Sequence, residues 1–375
     1  MTDMGFYEQC VRFSDFQPGI VLGRFGRRDM EQALKKRILT DSDFLALLSP
    51  AAEPFIEEMA QKAHRITVRQ FGRVIQLYTP IYLSNYCTNQ CVYCGFSNTN
   101  KISRKQLTLE EVETEAGAIA KTGLKQILIL TGDARKITTP GYIKDCVRII
   151  AKYFTSVGIE IYALDQEEYT ELIEAGVDYL TIYQETYNIR LYGQLHQKGP
   201  KKDFRYRLEA PDRACKAGIR AVNIGALMRL DDWRREVYLT GLHAEYLQRR
   251  FPGVELGISL PRITPHAGSF HPEYNVDDKS LVQSMLALRL FLPRVGLTIS
   301  TREPADLRDN LVRLGVTKMS AGSSTKVGGW TTGDQDTGQF DIFDHRTVDE
   351  IKQQISRLGY QPVFKDWQPI QEEVS

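Results

Sequence analysis

The chain has 375 residues, 42% hydrophobic, 25% charged and 10% aromatic, with Lys+Arg 48 against Asp+Glu 47 for a formal charge of +1. This is the make-up of a globular protein with a substantial core, and it excludes disordered, collagen-like and coiled-coil chains. No positive excess exists to drive binding to a nucleic-acid backbone or an anionic membrane, and no apolar run approaches the roughly 18 residues of a membrane span, so neither partner is expected.

In chain order, MTDMGFYEQCVRF has no basic segment followed by an apolar one, which argues against a secretory leader. Residues 1–75, including LTDSDFLALLSPAAEPFIEEMAQKAHRI, read as a helical extension expected to cap the N-terminal side of a larger domain, 76–375. That domain opens with an apolar strand through Ile81 and Leu83 that leads into Cys87. Seven further Gly-plus-apolar junctions follow, at 122–130, 157–164, 175–184, 217–228, 252–260, 295–303 and 314–323. Each reads as a glycine closing a helix, where a left-handed residue is tolerated, followed by a short strand. Thr108 with Glu111, and Asp165 with Glu168, have the spacing of capping boxes that start the intervening helices. Eight strands alternating with helices predict an α/β fold, a parallel (β/α)8 TIM-type barrel, with a doubly wound open sheet as the alternative. Two polar connections interrupt the pattern, 264–280 and 325–345, and the second is read as a loop over the barrel mouth.

The six cysteines are too sparse for a disulfide scaffold, and Cys10, Cys146 and Cys215 are scattered, as inert buried thiols would be. Cys87, Cys91 and Cys94 instead fall within eight residues, which points to a reduced, cytoplasmic setting and a metal site. They follow the first strand, where a parallel barrel carries its chemistry. Three thiolates from one loop suit an iron–sulfur cluster. A structural zinc site wants four closed ligands, and the nearest further candidate, His64, precedes the strand. A cluster held by three cysteines leaves one iron open to an exogenous chelating ligand.

Cys-x3-Cys-x2-Cys, with Tyr93 before the third cysteine, resembles the signature of radical S-adenosylmethionine enzymes. The blocks PIYLSNYCTNQCVYCGFS, LTGD, YQETY, KKDFRYRLEAPDRACKAG, GALMRLDDWR, SLPRITP, STREPADLRD and PVFKDW narrow the likeness to the 2-iminoacetate synthase family, tyrosine lyases of thiazole biosynthesis. The likeness spans roughly residues 35–370, with blocks in family order. It implies one [4Fe-4S] cluster on Cys87, Cys91 and Cys94, with S-adenosylmethionine chelated at the open iron. It further implies that Tyr93 packs near the adenine, that Thr131, Gly132 and Asp133 bind the cofactor's amino group, and that Arg207 pairs with the methionyl carboxylate. Asp133 departs from the Glu usual in the family. Gln184, beside Glu185, ends the fourth strand as a further cofactor candidate, and Gly225 and Ala226 are small enough to let adenosine approach the backbone.

For the substrate, the likeness makes Arg302 in STRE the fork for an amino-acid carboxylate, with Ser320 and Ser323 assisting and Tyr82 near the amine. His196 is a weak candidate for the phenol. His64, His243 and His345 read as ordinary residues of helices, and His266 and His271 lack metal spacing. The activity implied is cleavage of the Cα–Cβ bond of L-tyrosine to 2-iminoacetate and p-cresol, with 5′-deoxyadenosine and methionine. Delivery to thiazole synthase and a low-potential electron donor such as a flavodoxin or ferredoxin are implied with it. A hydrogenase-maturing tyrosine lyase would need C-terminal cysteines for a second cluster, and the last cysteine is Cys215. A tryptophan lyase and a non-enzymatic iron–sulfur or zinc protein are the remaining alternatives.

Overall fold

Eight strands close into a barrel in the computed structural model, which describes residues 5–331 and 337–364. They are β1 (Val74–Ser84), β2 (Gln126–Thr131), β3 (Ser156–Glu160), β4 (Val177–Glu185), β5 (Ala221–Ala226), β6 (Glu255–Ser259), β7 (Gly296–Ile299) and β8 (Lys318–Ser320). Neighbours pair in parallel in sequence order, and β1 closes the ring by pairing with both β2 (Thr79↔Ile127) and β8 (Gln76↔Lys318). A further strand, β9 (Gln361–Val363), joins the start of β1 (Val74↔Gln361). The expected TIM-type architecture is observed, with every strand where an apolar junction placed it. The reason is burial on both faces: in β2 the run QILIL is buried throughout, the continuous pattern that a helix-covered parallel sheet demands.

Helix starts follow the capping chemistry. Thr108 N–H donates to Glu111 Oε2 at 2.8 Å while Glu111 N–H donates to Thr108 Oγ1 at 3.2 Å. Such a cap contributes about 1 kcal/mol. Gly123, Gly176, Gly218 and Gly315 have positive φ at helix ends, as expected. Gly158 does not: it lies inside β3, and the Tyr179 ring of β4 covers it, its hydroxyl donating to the Ile127 carbonyl at 2.9 Å. A Cβ at Gly158 would come within 2.0 Å of that ring, so this glycine serves packing rather than helix termination. Gly253 stands in the turn before β6 and Gly296 begins β7, neither with positive φ, so three of the seven junction glycines are not helix caps.

The N-terminal extension is helical but does not cap the barrel's N-terminal side. It packs on the flank, against the helices Trp233–Arg250 and Asp278–Phe291. Phe44 stacks on Phe291 at 4.3 Å, Phe6 stacks on His243 at 4.3 Å, and Gln283 Nε2 donates to the Leu47 and Ser49 carbonyls. Apolar faces on both sides of this seam explain the placement, because the extension shares one continuous core with the barrel. No helix among the described residues is long and apolar enough to cross a membrane.

The described parts of loop 325–345, residues 325–331 and 337–345, lie over the mouth as expected. Val327 bridges to Tyr82 of β1, Phe343 N–H donates to the Thr301 carbonyl at 2.9 Å, and Asp341 N–H reaches the Pro265 carbonyl at 2.8 Å. The other polar connection, 264–280, therefore meets this loop through Pro265. Residues 332–336 of this loop, and Lys365, Asp366 and Trp367 of the C-terminal block, lie outside the described residues.

Candidate active site

β1 ends level with β2 (Ser84↔Thr131) and runs on past its pairing with β8 (Tyr78↔Ser320), so it delivers the cysteine loop at the C-terminal end of the barrel. The Arg104 guanidinium donates to the carbonyls of Asn85 (2.6 Å), Phe96 (2.9 Å) and Ser97 (2.7 Å), gathering the loop around one cation. The end of β2 holds the loop from the other side. Thr88 N–H donates to the Asp133 carbonyl at 2.7 Å and Asn89 Nδ2 to Asp133 Oδ2 at 2.8 Å. Gly132 is glycine because a Cβ there would meet the Tyr86 carbonyl oxygen at 2.2 Å.

The result is a cavity of about 620 Å³ into which Cys87, Cys91 and Cys94 all face, opposite Thr131, Gly132 and Asp133. All six cysteines are free thiols. Among the described residues, no three His, Cys, Asp or Glu side chains are grouped closely enough to grip a single metal ion, as a zinc clip would. Three soft donors spaced around a larger cavity suit a multi-iron cluster. Thr131 Oγ1 and Asp133 Oδ1 are buried without partners on the facing wall, which leaves them for a polar ligand. Burial is the main cause that raises the Asp133 carboxyl above the usual range.

Arg207 also lines this cavity, its Nε donating to the Tyr183 carbonyl at 2.7 Å. Lys201 Nζ lies 2.6 Å from Glu185 Oε1, and Arg207 Nη2 lies 3.5 Å from the same oxygen. Burial raises Glu185, but these two cations outweigh it and hold the carboxyl below its ordinary range. The two cations share the cavity wall with three carboxyl groups, Asp133, Glu160 and Glu185. Tyr93 borders an adjoining cavity, and its hydroxyl lies 2.6 Å from His196 Nε2.

A third cavity, of about 480 Å³, carries Arg302, Ser320, Ser323, Tyr78, Tyr82, Tyr183 and Phe340 on its walls. Arg302 reaches it from the loop after β7, with its guanidinium 3.3 Å over the Phe340 ring. Its neighbour Glu303 pairs with Arg262 rather than with Arg302, at 3.0 and 3.1 Å from Arg262 Nε. Among the described residues, no carboxylate forms an ion pair with Arg302. Ser320 Oγ accepts from Thr301 N–H at 3.0 Å, and Ser323 Oγ is buried without a partner. Tyr82 stands between the thiol cavity and this one, its hydroxyl donating to Gln339 Oε1 of the mouth loop at 2.9 Å.

Glu160, which ends β3, was missed by sequence reading and borders all three cavities. Burial first, then the neighbouring Glu185 charge, pushes its carboxyl up to about 7. The signal was there: a lone carboxylate ending the apolar run SVGIE, at the barrel end that carries chemistry. Lys201 and Gln339 were missed too, both on loops that periodicity does not place.

Several expected positions fall elsewhere. β4 is irregular between Tyr183 and Glu185, and while both of these line the cavities Gln184 turns away, its Nε2 3.4 Å from the Phe204 carbonyl. Gly225 and Ala226 do not border these cavities. A Cβ at Gly225 would lie 1.9 Å from the Ser259 carbonyl oxygen, so its smallness serves the contact with β6. His196 is spent on Tyr93 and, through Nδ1, on the Tyr192 carbonyl at 2.8 Å, and borders none of the three cavities. Burial holds its ring neutral, with the pKa lowered to about 3. His64 and His243 do lie in helices, whereas His345 lies in the loop before Val348.

Residues 81–239 match the radical SAM superfamily and residues 259–361 match the Biotin and Thiamin Synthesis associated domain. Fold, thiol loop and matched segments together define a radical SAM barrel. The chain is 39% identical to 2-iminoacetate synthase of Salmonella typhimurium over 340 residues, 90% of each chain, and 38% identical to that of Escherichia coli over the same lengths. The chain belongs to the 2-iminoacetate synthase family. Its fold is also that of the FeFe-hydrogenase maturase HydG from Carboxydothermus hydrogenoformans, with a TM-score of 0.85 and 32% identity over 96% of this chain and 83% of that one.

Proposed function

We propose that this protein is a radical S-adenosylmethionine lyase that cleaves the Cα–Cβ bond of L-tyrosine to 2-iminoacetate and p-cresol, in the route to the thiazole of thiamine. The observation that carries the reading is an arginine without an ion pair, Arg302, in a cavity joined through Tyr82 and Glu160 to the one lined by the three thiols. When bound, a [4Fe-4S] cluster and S-adenosylmethionine supply a 5′-deoxyadenosyl radical by one-electron cleavage of the sulfonium, leaving methionine. Cys87, Cys91 and Cys94 would hold that cluster. Thr131, Gly132 and Asp133 would take the cofactor's amino group, and Arg207 its carboxylate.

Arg302 fixes the substrate carboxylate by a permanently charged fork, with Ser320 and Ser323 supplying neutral hydrogen bonds. Glu160 lines both the thiol cavity and the Arg302 cavity, where it would face nucleotide and substrate alike, with no hydrogen-bonding partner among the described side chains. In its ionised form it takes a proton from the substrate ammonium, leaving the neutral amine from which hydrogen is abstracted. The described residues of the mouth loop, Thr325, Gln339 and Phe340 among them, wall the cavities and would keep water off a carbon radical that attacks any neighbour. Because 2-iminoacetate hydrolyses readily, transfer to thiazole synthase in a heteromeric cytoplasmic complex completes the scheme.

The test is anaerobic reconstitution, reduction with dithionite, and addition of S-adenosylmethionine with tyrosine or tryptophan. p-Cresol from tyrosine is expected. 3-Methylindole from tryptophan instead would assign the other aromatic substrate, and deoxyadenosine without either would remove the lyase reading. Single Cys87→Ala, Cys91→Ala and Cys94→Ala variants should each lose cluster absorbance, while Cys10→Ala, Cys146→Ala and Cys215→Ala keep it.

A further inference from the structure

Gln339 stands at the root of the mouth loop, and the backbone there is closely held. Its N–H donates to the Thr325 carbonyl at 3.0 Å, and Thr325 Oγ1 donates to the Phe340 carbonyl at 2.9 Å, so the two arms of the loop are tied together. A Cβ at Gly338 would lie 2.3 Å from Thr325 Oγ1, so only a glycine lets the arms close this far. Gly95 of the thiol loop does the same from below. A Cβ there would come within 2.3 Å of the Gln339 carbonyl oxygen, so the root of the mouth loop rests directly on the residue after Cys94.

The side chain so fixed lies between the two halves of the site. Gln339 Nε2 is 3.8 Å from Cys94 Sγ, a donor to sulfur, and Gln339 Oε1 accepts from the Tyr82 hydroxyl at 2.9 Å. Chemistry sets the sense of both bonds. A thiolate that ligates iron can only accept, so the amide must turn Nε2 to the sulfur and Oε1 to the tyrosine. The single hydroxyl proton of Tyr82 is then spent on Gln339, and its oxygen lone pairs are left to accept. Tyr82 lines both the Arg302 cavity and the thiol cavity, and Gln339 lines the thiol cavity. Two hydrogen bonds of one sense therefore run from the substrate cavity to a cluster ligand.

Resting on the reading above, we propose that Gln339 is a positioning residue that couples occupation of the substrate cavity to reduction of the cluster. The amine of a substrate held by Arg302 donates to Tyr82 Oη, polarises the O–H bond toward Gln339 Oε1, and so strengthens the N–H···S bond. Neighbouring bonds in such a chain reinforce one another by about 10–30%. Donors at the sulfurs favour the reduced, more negative cluster. The cluster takes up one electron from a low-potential one-electron donor, every covalent bond of the relay stays intact, and no proton leaves it. With its cavity empty the enzyme is harder to reduce, and it spends less cofactor without substrate.

The experiment poises the reconstituted enzyme at a series of fixed potentials and measures reduced cluster by electron paramagnetic resonance, with and without tyrosine. S-Adenosylhomocysteine, which has no sulfonium to cleave, replaces S-adenosylmethionine so that the electron stays on the cluster. At one fixed potential, tyrosine should raise the wild-type ratio of reduced to oxidised cluster about 1.5- to 3-fold. Gln339→Ala should lower the tyrosine-free ratio about five-fold. Gln339→Glu, which sets a negative acceptor against the sulfur, should lower it further, and both variants should keep wild-type iron content. Tyr82→Phe should hold the tyrosine-free ratio within about two-fold of wild type and lose the rise. Wild-type ratios in both Gln339 variants, iron loss in both, a rise that survives in Tyr82→Phe, or no rise in a wild type that makes p-cresol would each overturn the coupling. Ratios that respond to Gln339 as expected in an enzyme that makes no p-cresol would instead refute the lyase reading and leave the bond to Cys94 standing.

Discussion

Replacing Arg302 by alanine separates a binding group from a structural one. In the described structure this guanidinium has the Phe340 ring beneath it, one long 3.5 Å contact to the Arg262 carbonyl, and no carboxylate partner. Burial alone is the leading cause that depresses its pKa, the mark of a cation held ready at some cost to the fold. Removing it therefore forfeits a cation–π contact of about 0.5–2 kcal/mol and relieves the desolvation of an unpaired charge, so the net change in stability should stay within about 1 kcal/mol. With substrate bound, the same deletion strands a buried carboxylate, which costs about 3–5 kcal/mol. At about 1.4 kcal/mol per decade, kcat/KM for tyrosine should fall roughly 10²- to 10⁴-fold. The assay is p-cresol formation against tyrosine concentration, with iron content and Tm measured on the same preparation. Arg302→Lys should recover only part of the loss, since an ammonium keeps the charge but not the planar fork. A drop in Tm of more than about 5 °C, loss of iron, or an unchanged kcat/KM would refute the assignment.

Three further outcomes are expected. Glu160→Gln should abolish the rise of wild-type turnover through pH of about 7, where the carboxyl ionises, and leave a lower, flat profile; an unaltered profile would remove its role as proton acceptor. The same residue sets a stability trend. An unfolded chain loses this proton near 4.5 and the folded one near 7, so the ligand-free protein should lose stability as pH rises between those values, and Glu160→Gln should flatten that loss in thermal melts. Gly132→Ala drives a methyl group to 2.2 Å from the Tyr86 carbonyl oxygen and 3.2 Å from Cys87 Cβ, so the thiol loop must shift. Iron retained after reconstitution should fall well below wild type while far-UV circular dichroism is unchanged.

Much of the architecture could be read from local chemistry, since strands buried on both faces write continuous apolar runs and capping boxes mark helix starts. The glycines were less transparent. Gly123 and Gly158 look alike in sequence, yet one ends a helix and the other makes room for a tyrosine ring from the next strand, a long-range contact with no local signature. The same limit explains Gln184. Which of two adjacent polar residues faces the cavity depends on strand register, and β4 carries an irregularity between Tyr183 and Glu185. The cysteines, Arg302 and Tyr82 stood out because their chemistry matched a motif. Glu160 did not, because it lies on a strand end with no motif around it, and its importance comes from three walls meeting there.

The closure of the barrel has a consequence for how the protein is made. β1 carries the three thiols on its tail but finds its partner β8 only at Lys318–Ser320. At a translation rate of about 5–20 residues per second, Cys94 leaves the ribosome some tens of seconds before that partner exists. During that interval the barrel around its sulfur is still open and the cavity lacks its last wall, Gln339. The enclosed site that a cluster needs is therefore complete only once the chain is finished, and until then the three thiols lack the shelter that the closed barrel gives them.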